Sequence, residues 1–181
     1  MFSRNLNLIA ALGLAFLAGT GMAQTKQVDP AELKAAFVLN FAQFCEWPDA
    51  KLPTNATPVR LGVVGSADMV AILQRVAAAK KVNGRDVEVI SIDDPAAITL
   101  VHVLYLAEHP ARTHDYVAAS FEHAVLTVSD CPQFMPEGGI IRLFMEDRKM
   151  RFEIHPRSAD RARLRLSSKL LRLAKIYDER R

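Results

Sequence analysis

Three ionisable side chains with a spacing suited to ligand binding lie near the carboxyl end of the chain, in the segment "MRFEIHP". Arg151, Glu153 and His155 alternate there with apolar residues. In a β-strand, residues two apart point to the same side, so a guanidinium, a carboxylate and an imidazole would share one face. Such a group can clamp a small zwitterion or anion. The alternative interpretation is the solvated face of an edge strand.

Two further sets of residues are candidates for ligand binding. Arg60 and Arg142 lie on other apolar, strand-like runs and are candidates to converge with the first group. Gly65, Glu108 and Asp130 follow separate strand-like runs. Ligands of open α/β sheets bind outside the carboxyl ends of the strands, so a crevice is expected near these three residues. Either site would indicate a small-molecule-binding protein.

Catalytic motifs are absent from the sequence. It contains no Walker loop, GxGxxG, HExxH, GxSxG or CxxC pattern. His109 and His114 are five residues apart, which does not place both imidazoles on one helix face, so no metal site is predicted. No nucleophile pairs with a base by spacing. We therefore expect no catalytic activity and no cofactor, and a hydrolase is the least supported alternative.

The two cysteines, Cys45 and Cys131, leave two interpretations open. In an oxidising compartment they are candidates for one disulfide. Alternatively, Cys45 follows Phe37 and Phe41 at steps of four, which would place it on the apolar face of a helix as a small core residue.

The elements that must position these residues alternate along the chain. Asp29-Pro30 predicts the start of a helix whose apolar positions recur at helical spacing and which ends at Trp47-Pro48. Strand-like runs follow: "VRLGVVG", "VEVISI", "ITLVHVLYLA" and "HAVLTVSD". Two helical stretches separate them, and Ser66 predicts the start of the first helix. This alternation predicts one α/β domain with a mostly parallel sheet flanked by helices.

The carboxyl-terminal part has a different pattern. "GGIIRLFMEDRKMRFEIHP" predicts an antiparallel hairpin at the end of the sheet, with its turn at Glu146 to Lys149. An exposed edge strand in this hairpin is a candidate surface for a homodimer. A terminal helix should follow, with an apolar stripe that is a candidate docking surface, formed by Leu170, Leu171, Ala174 and Tyr177.

The amino terminus predicts export. Arg4 precedes an apolar run that ends near Leu17, and small residues stand before Gln24. This pattern is typical of a signal peptide covering residues 1–23, which leaves a domain of residues 24–181; an uncleaved anchor is the alternative.

Charge is distributed unevenly along the exported chain. Residues 148–181 carry twelve Lys/Arg against four Asp/Glu, whereas residues 24–147 carry ten against sixteen. Exported proteins rarely meet nucleic acid, so we expect no such partner. The basic part is either the solvated face of a helix or a docking surface for an acidic partner or anionic lipid.

Six segments together resemble one known family, in order and across essentially the whole predicted mature chain. They are "LKAAFVLNFAQFCEWP", "VRLGVVG", "VNGRDVEV", "HVLYLAE", "AVLTVSDCPQFMPEGGIIRLFMEDRKMRFEIHP" and "LRLSSKLLRLAKI". The combination resembles the YfiR family of exported regulators.

The resemblance implies a periplasmic α/β protein without catalytic activity. Such a protein binds the periplasmic sensory region of an inner-membrane diguanylate cyclase of the YfiN kind and lowers cyclic-di-GMP synthesis and biofilm formation. An outer-membrane lipoprotein is a further candidate partner. Family members are associated with redox behaviour through disulfides, but this chain, with two cysteines, cannot form two bridges.

Overall fold

The computed structural model describes residues 29–54, 56–107 and 112–178. The predicted signal peptide and the predicted mature terminus near Gln24 therefore lie outside the described residues, as do Glu108 and His109.

A seven-stranded sheet organises the described residues. The strands are β1 Cys45–Glu46, β2 Val59–Val64, β3 Val87–Ser91, β4 Val103–Leu106, β5 Leu126–Ser129, β6 Ile141–Glu146, β7 Lys149–Ile154, β8 Arg165–Leu166 and β9 Lys175–Ile176. The spatial order of the large sheet is β3-β2-β4-β5-β6-β7-β9. The β2/β3, β2/β4, β4/β5 and β5/β6 pairs are parallel, β6/β7 is antiparallel and β7/β9 is parallel. A separate antiparallel sheet pairs β1 with β8.

Helices cover both faces of the large sheet. They are α1 Pro30–Gln43, α2 Ala67–Ala77, α3 Thr113–His123, α4 Pro156–Arg161 and α5 Ser168–Leu173. One face packs against α1 and α2, and the other against α3 and two 3₁₀ segments, Pro95–Leu100 and Pro132–Phe134. Because the central strands are covered on both sides, every residue of β4 and β5 is buried, including Thr127 and Ser129 of β5.

The predicted fold class is confirmed, namely a mixed α/β fold with a mostly parallel sheet, flanking helices and a carboxyl-terminal hairpin. Predicted helix starts are confirmed too. The Asp29 carboxylate accepts the Ala31 N–H at 2.9 Å, and the Ser66 hydroxyl accepts the Met69 N–H at 3.1 Å. These bonds satisfy amide donors that have no partner within the helix.

Three features of the fold differ from the sequence predictions. α1 ends at Gln43, before the Trp47-Pro48 pair, and Cys45 lies in β1 instead of on the helix. The hairpin is not the edge of the sheet, because β9 pairs with β7 on its open side. The terminal helix ends at Leu173, and its predicted continuation forms β9.

Candidate functional site

The β6–β7 hairpin positions the two central residues of the candidate site. Its strands are joined by Asp147 and Arg148, which have φ values of 49° and 60°. Positive φ at both positions is typical of the tight turns that match the twist of a hairpin. The resulting register pairs Arg142 directly with Glu153.

Arg142 and Glu153 form a largely buried ion pair. The Arg142 Nε atom lies 2.6 Å from the Glu153 Oε1 atom, and the two side chains are 19% and 6% exposed. A buried carboxylate is costly unless it is paired and hydrogen-bonded, so Arg142 is the residue that allows Glu153 to lie in this layer.

A cavity of about 590 Å³ opens beside this ion pair. The loop after β5 forms one wall of the cavity, and the segment containing β9 forms another. Its lining residues are Pro132, Met135, Pro136, Arg142, Glu153, Lys175, Ile176, Tyr177 and Asp178.

The cavity lining combines charges of both signs, from Arg142, Lys175, Glu153 and Asp178, with apolar residues such as Met135 and Ile176. The Lys175 ammonium and the Arg142 guanidinium lie 5.9 Å and 5.3 Å from the centre of the Phe144 ring. Cations at these distances are attracted to the face of an aromatic ring. A small anion or zwitterion with an apolar part is therefore the class of ligand that this cavity fits.

Two of the five candidate ligand-binding residues, Arg142 and Glu153, line this cavity. Arg151, on β7, lies 3.7 Å from Glu146 in an exposed ion pair. Arg60 pairs with Glu88 of β3 at 2.8 Å, and three strands separate β2 from β7. At the usual strand spacing this separation is roughly 20 Å, so the structure does not bring Arg60 to the group.

His155 has a different position from the one that strand alternation predicts. Its ring is buried, caps α4 by accepting the Ser158 N–H at Nδ1, 3.3 Å away, and packs 5.2 Å from the Tyr177 ring. It lines a second cavity, of about 350 Å³, together with Phe121 and Arg161 among others. Glu153 and His155 therefore contribute to separate cavities.

The predicted docking stripe does not form one helix face. Leu170 is buried in the core. Leu171 and Ala174 are partly buried against the same cluster, and Ala174 follows the end of α5. Tyr177 follows β9 and packs on the opposite face of the sheet. Because the helix stops at Leu173, the spacing that predicted a single stripe does not hold beyond this residue.

The two cysteines are free thiols on opposite faces of the sheet. Cys45 belongs to the core cluster under α1 and α2, whereas Cys131 belongs to the cluster under α3. The structure therefore does not form the disulfide that was one of the two interpretations left open by the sequence. Burial raises the pKa of the Cys45 thiol, and the charge of Glu46 raises it further, so the thiol stays protonated and unreactive.

The strand-end crevice is already engaged by protein groups. Asp130 forms an ion pair with Lys34 of α1, and Ser66, which follows Gly65, caps α2. These contacts use the Asp130 carboxylate and the Ser66 hydroxyl, whereas Glu108 lies outside the described residues.

Sequence reasoning missed Lys175 in the site and, elsewhere in the fold, His102. A cationic residue in a predicted helix gave no signal that it lines a cavity, because its placement depends on β9. His102 is buried, its Nδ1 accepts the Arg60 N–H at 2.9 Å, and its carbonyl accepts the Trp47 Nε1–H at 3.1 Å. It anchors the Trp47-Pro48 segment, whose role as a helix terminator was the sequence prediction.

A family model described as YfiR/HmsC-like matches residues 31–175, from α1 to the first residue of β9. The chain belongs to the YfiR/HmsC-like family. The resemblance found in the sequence is therefore confirmed. The YfiR/HmsC-like family is a periplasmic, regulatory and non-catalytic family, and its members act with a partner protein in cyclic-di-GMP signalling.

Solved structures similar to this YfiR/HmsC-like chain share its fold. A conserved domain protein from Vibrio cholerae O1 biovar El Tor strain N16961 is 12% identical, with a TM-score of 0.54 over 82% of this chain and 60% of the other. A Streptococcus pneumoniae ABC domain, described in complex with L-Trp, is 9% identical, with a TM-score of 0.52 over 78% and 59%. This chain thus spans about three fifths of each, and at such identities the likeness shows the fold alone.

No curated protein sequence matches the chain significantly. Within the described residues, no helix of this YfiR/HmsC-like chain has both the length and the apolar character needed to cross a membrane.

Proposed function

We propose that this chain is exported after cleavage of residues 1–23 and that residues 24–181 repress an inner-membrane diguanylate cyclase of the YfiN kind. The repressor binds the periplasmic sensory region of the cyclase, and this binding lowers cyclic-di-GMP synthesis and biofilm formation. The observation that carries this proposal is the family match over residues 31–175. An outer-membrane lipoprotein that binds the repressor is a further candidate partner.

The mechanism we propose is a population shift. The repressor binds one conformation of the periplasmic region more tightly than the other, and this difference holds the cytoplasmic cyclase in its inactive arrangement. A coupling of about 1–3 kcal/mol changes the ratio of the two states by roughly 5- to 150-fold, which is enough to control a synthase.

The test is intracellular cyclic-di-GMP in the native bacterium with and without the gene. Deletion should raise the concentration. A full-length copy should restore it, and a copy lacking residues 1–23 should not, because the protein would remain on the wrong side of the membrane. Unchanged cyclic-di-GMP on deletion under several growth conditions would reject repression.

A second candidate function is the binding of a small periplasmic molecule that feeds a membrane receptor. The observation that favours it is the 590 Å³ cavity with the Arg142–Glu153 pair in its lining. Both functions hold at once if the ligand adjusts repression.

Thermal shift measurements with amino acids and nucleotides test this second function. A ligand should stabilise the protein, and Lys175→Glu should remove the effect because it reverses a charge that lines the cavity. Arg151→Glu is the matched control, since Arg151 is an exposed cation outside the cavity. No stabilising ligand, or an equal loss in both variants, would reject this site.

A further inference from the structure

We propose that the open edge of β9, together with Leu173 and Ile176, binds an extended acidic segment of the partner protein by strand addition. This inference rests on the proposed function for the identity of the partner, and it specifies where and how that partner is held. The surface formed by Lys169, Arg172, Leu173, Lys175 and Ile176 is called the β9 edge below.

The backbone of β9 offers hydrogen-bonding groups on its outer side. β9 is the last strand of the sheet and pairs with β7 alone among the described residues. The Tyr177 N–H donates to the Ile154 carbonyl at 2.8 Å, so Tyr177 faces β7. Successive residues of a strand direct their backbone groups to opposite sides. The N–H and C=O of Ile176 therefore face away from β7, towards a position where an added strand can pair with them.

The other edge of the sheet is partly covered. The Gln74 side chain of α2 donates to the Val89 carbonyl of β3 at 3.3 Å. A side chain that bonds to an edge carbonyl covers a group that an added strand would need. β9 is thus the better edge for a partner.

Apolar side chains accompany this backbone edge. Leu173 and Ile176 are 73% and 50% exposed. An extended peptide that adds to a strand gains affinity from main-chain hydrogen bonds and selectivity from such apolar contacts.

Charge determines which occupant fits. Lys169, Arg172 and Lys175 are exposed, and within the described residues no carboxylate lies in salt-bridge distance of them. Residues 156–178 carry seven Lys/Arg against two Asp/Glu. A second copy of the chain would bring like charges together at the β9 edge, which opposes binding. An anionic lipid surface matches the charge but offers no strand to pair with Ile176. An acidic, extended protein segment satisfies the charge, the apolar side chains and the backbone together.

Site-specific photo-crosslinking in the native bacterium tests the occupant. A benzophenone amino acid at position 176 should crosslink to an acidic segment of an inner-membrane protein, identified by mass spectrometry of the joined peptides. The control position is Leu100, an apolar residue of similar exposure, 52%, at a different part of the surface. A crosslink to a second copy of the chain, a crosslink to lipid, or no crosslink at position 176 would each overturn the inference.

Variants then test the strand-addition geometry with a synthetic peptide of the crosslinked segment as the probe. Ile176→Pro removes the outward N–H but leaves the bonds to β7, because proline is tolerated on an edge strand whose N–H faces solvent. It should weaken peptide binding roughly tenfold or more, and Leu173→Glu should do the same by placing a negative charge against the acidic segment. Leu100→Glu is the control and should bind as the unmodified protein does.

The outcomes separate this inference from the proposed function. Thermal unfolding first checks that the Ile176→Pro and Leu173→Glu variants are folded. If deletion raises cyclic-di-GMP but both folded variants still bind the peptide and repress fully, the β9 edge is not the docking surface and repression stands. If the crosslinked protein is not a cyclase and cyclic-di-GMP never changes on deletion, the β9 edge stands and the repression of a cyclase is rejected.

Discussion

At the scale of single residues, the Arg142–Glu153 pair is the most costly electrostatic feature of the candidate site. The Glu153 side chain is 6% exposed, and its ion pair with Arg142 is enclosed between β6 and β7. Removing one member leaves the other charge largely without solvent or a partner. The pair therefore links the stability of the hairpin to the chemistry of the cavity beside it.

Glu153→Ala should lower the free energy of unfolding by about 3 kcal/mol, because it leaves Arg142 uncompensated in a buried layer. The matched control is Glu88→Ala, which removes the partner of Arg60 from an ion pair about half exposed on each side and should cost less than about 1 kcal/mol. Urea unfolding measures both values. Equal losses would contradict the assignment of a buried, structurally important pair.

His102 makes stability depend on pH. Burial lowers the pKa of His102 below the ordinary value of 6.5, and the nearby charges of Lys51, Arg60 and Arg85 lower it further, although the hydrogen bond to Lys51 acts in the opposite direction. The Nε2 atom lies 3.2 Å from the Lys51 carbonyl, and Nδ1 accepts from the Arg60 N–H, so the ring is neutral. A protonated ring would have no lone pair for the Arg60 N–H.

The sign of the pH effect follows from this lowered pKa. Above about pH 6.5 the neutral ring is present in both the folded and the unfolded chain, and its stabilising contribution is complete. As the pH falls below 6.5, the unfolded chain binds the proton first, so the free energy of unfolding decreases until the folded pKa is passed. Urea unfolding between pH 8 and pH 5 should show this decrease in the unmodified protein and a smaller one in His102→Gln. Identical pH profiles for the two proteins would be evidence against this role.

At the scale of elements, the β6–β7 turn contains avoidable strain. Asp147 and Arg148 both have positive φ, and Arg148 is exposed. A side chain at positive φ costs about 1–2 kcal/mol in the left-handed region, whereas glycine adopts it freely.

Arg148→Gly should therefore raise the free energy of unfolding by about 0.5–1 kcal/mol, after the greater flexibility of glycine in the unfolded chain is counted. Arg151→Gly, at an exposed position within β7, is the control and should lower stability, because glycine weakens a strand interior. Chemical denaturation measures both changes. A destabilised Arg148→Gly protein would show that the arginine side chain contributes contacts that outweigh the strain.

The short β9 strand has a larger effect on the molecule than its length suggests. By pairing with β7, it covers the strand that the sequence placed at the sheet edge. It also brings Lys175 and Tyr177 to the 590 Å³ cavity and leaves Ile176 exposed. Both the candidate ligand cavity and the β9 edge depend on this element.

At the scale of the whole molecule, the large sheet separates the two cysteines. Cys45 packs under α1 and α2 and Cys131 under α3, so the backbone of the sheet lies between the two core clusters. A disulfide needs the two Cα atoms within about 7 Å, which this arrangement opposes.

Diamide treatment of the folded protein should consequently give no internal Cys45–Cys131 bridge, as checked by mass spectrometry of non-reduced tryptic peptides. The same treatment in denaturant should form the bridge, because the unfolded chain brings the two thiols together. A bridged peptide from the folded protein would contradict the placement of the cysteines on opposite faces.

The sequence by itself determined the local and repetitive features of this protein. Alternating apolar runs predicted the parallel strands, Asp29 and Ser66 predicted helix starts, and a polar turn at Glu146 to Lys149 predicted the hairpin. These features depend on interactions between residues near each other in the chain, so composition and spacing carry enough information. The order of motifs across the chain was also sufficient to indicate the family.

Only the tertiary structure decided which distant residues meet. Strand order placed Arg142 against Glu153 and kept Arg60 three strands away, although all three looked alike as charged residues in strand-like runs. The residues after Leu173 have helical spacing, but pairing with β7 satisfies their backbone as a strand. Long-range pairing and burial outweigh the local preference of a few residues, and for this reason the cavity, the separation of the cysteines and the β9 edge appear only in the folded chain.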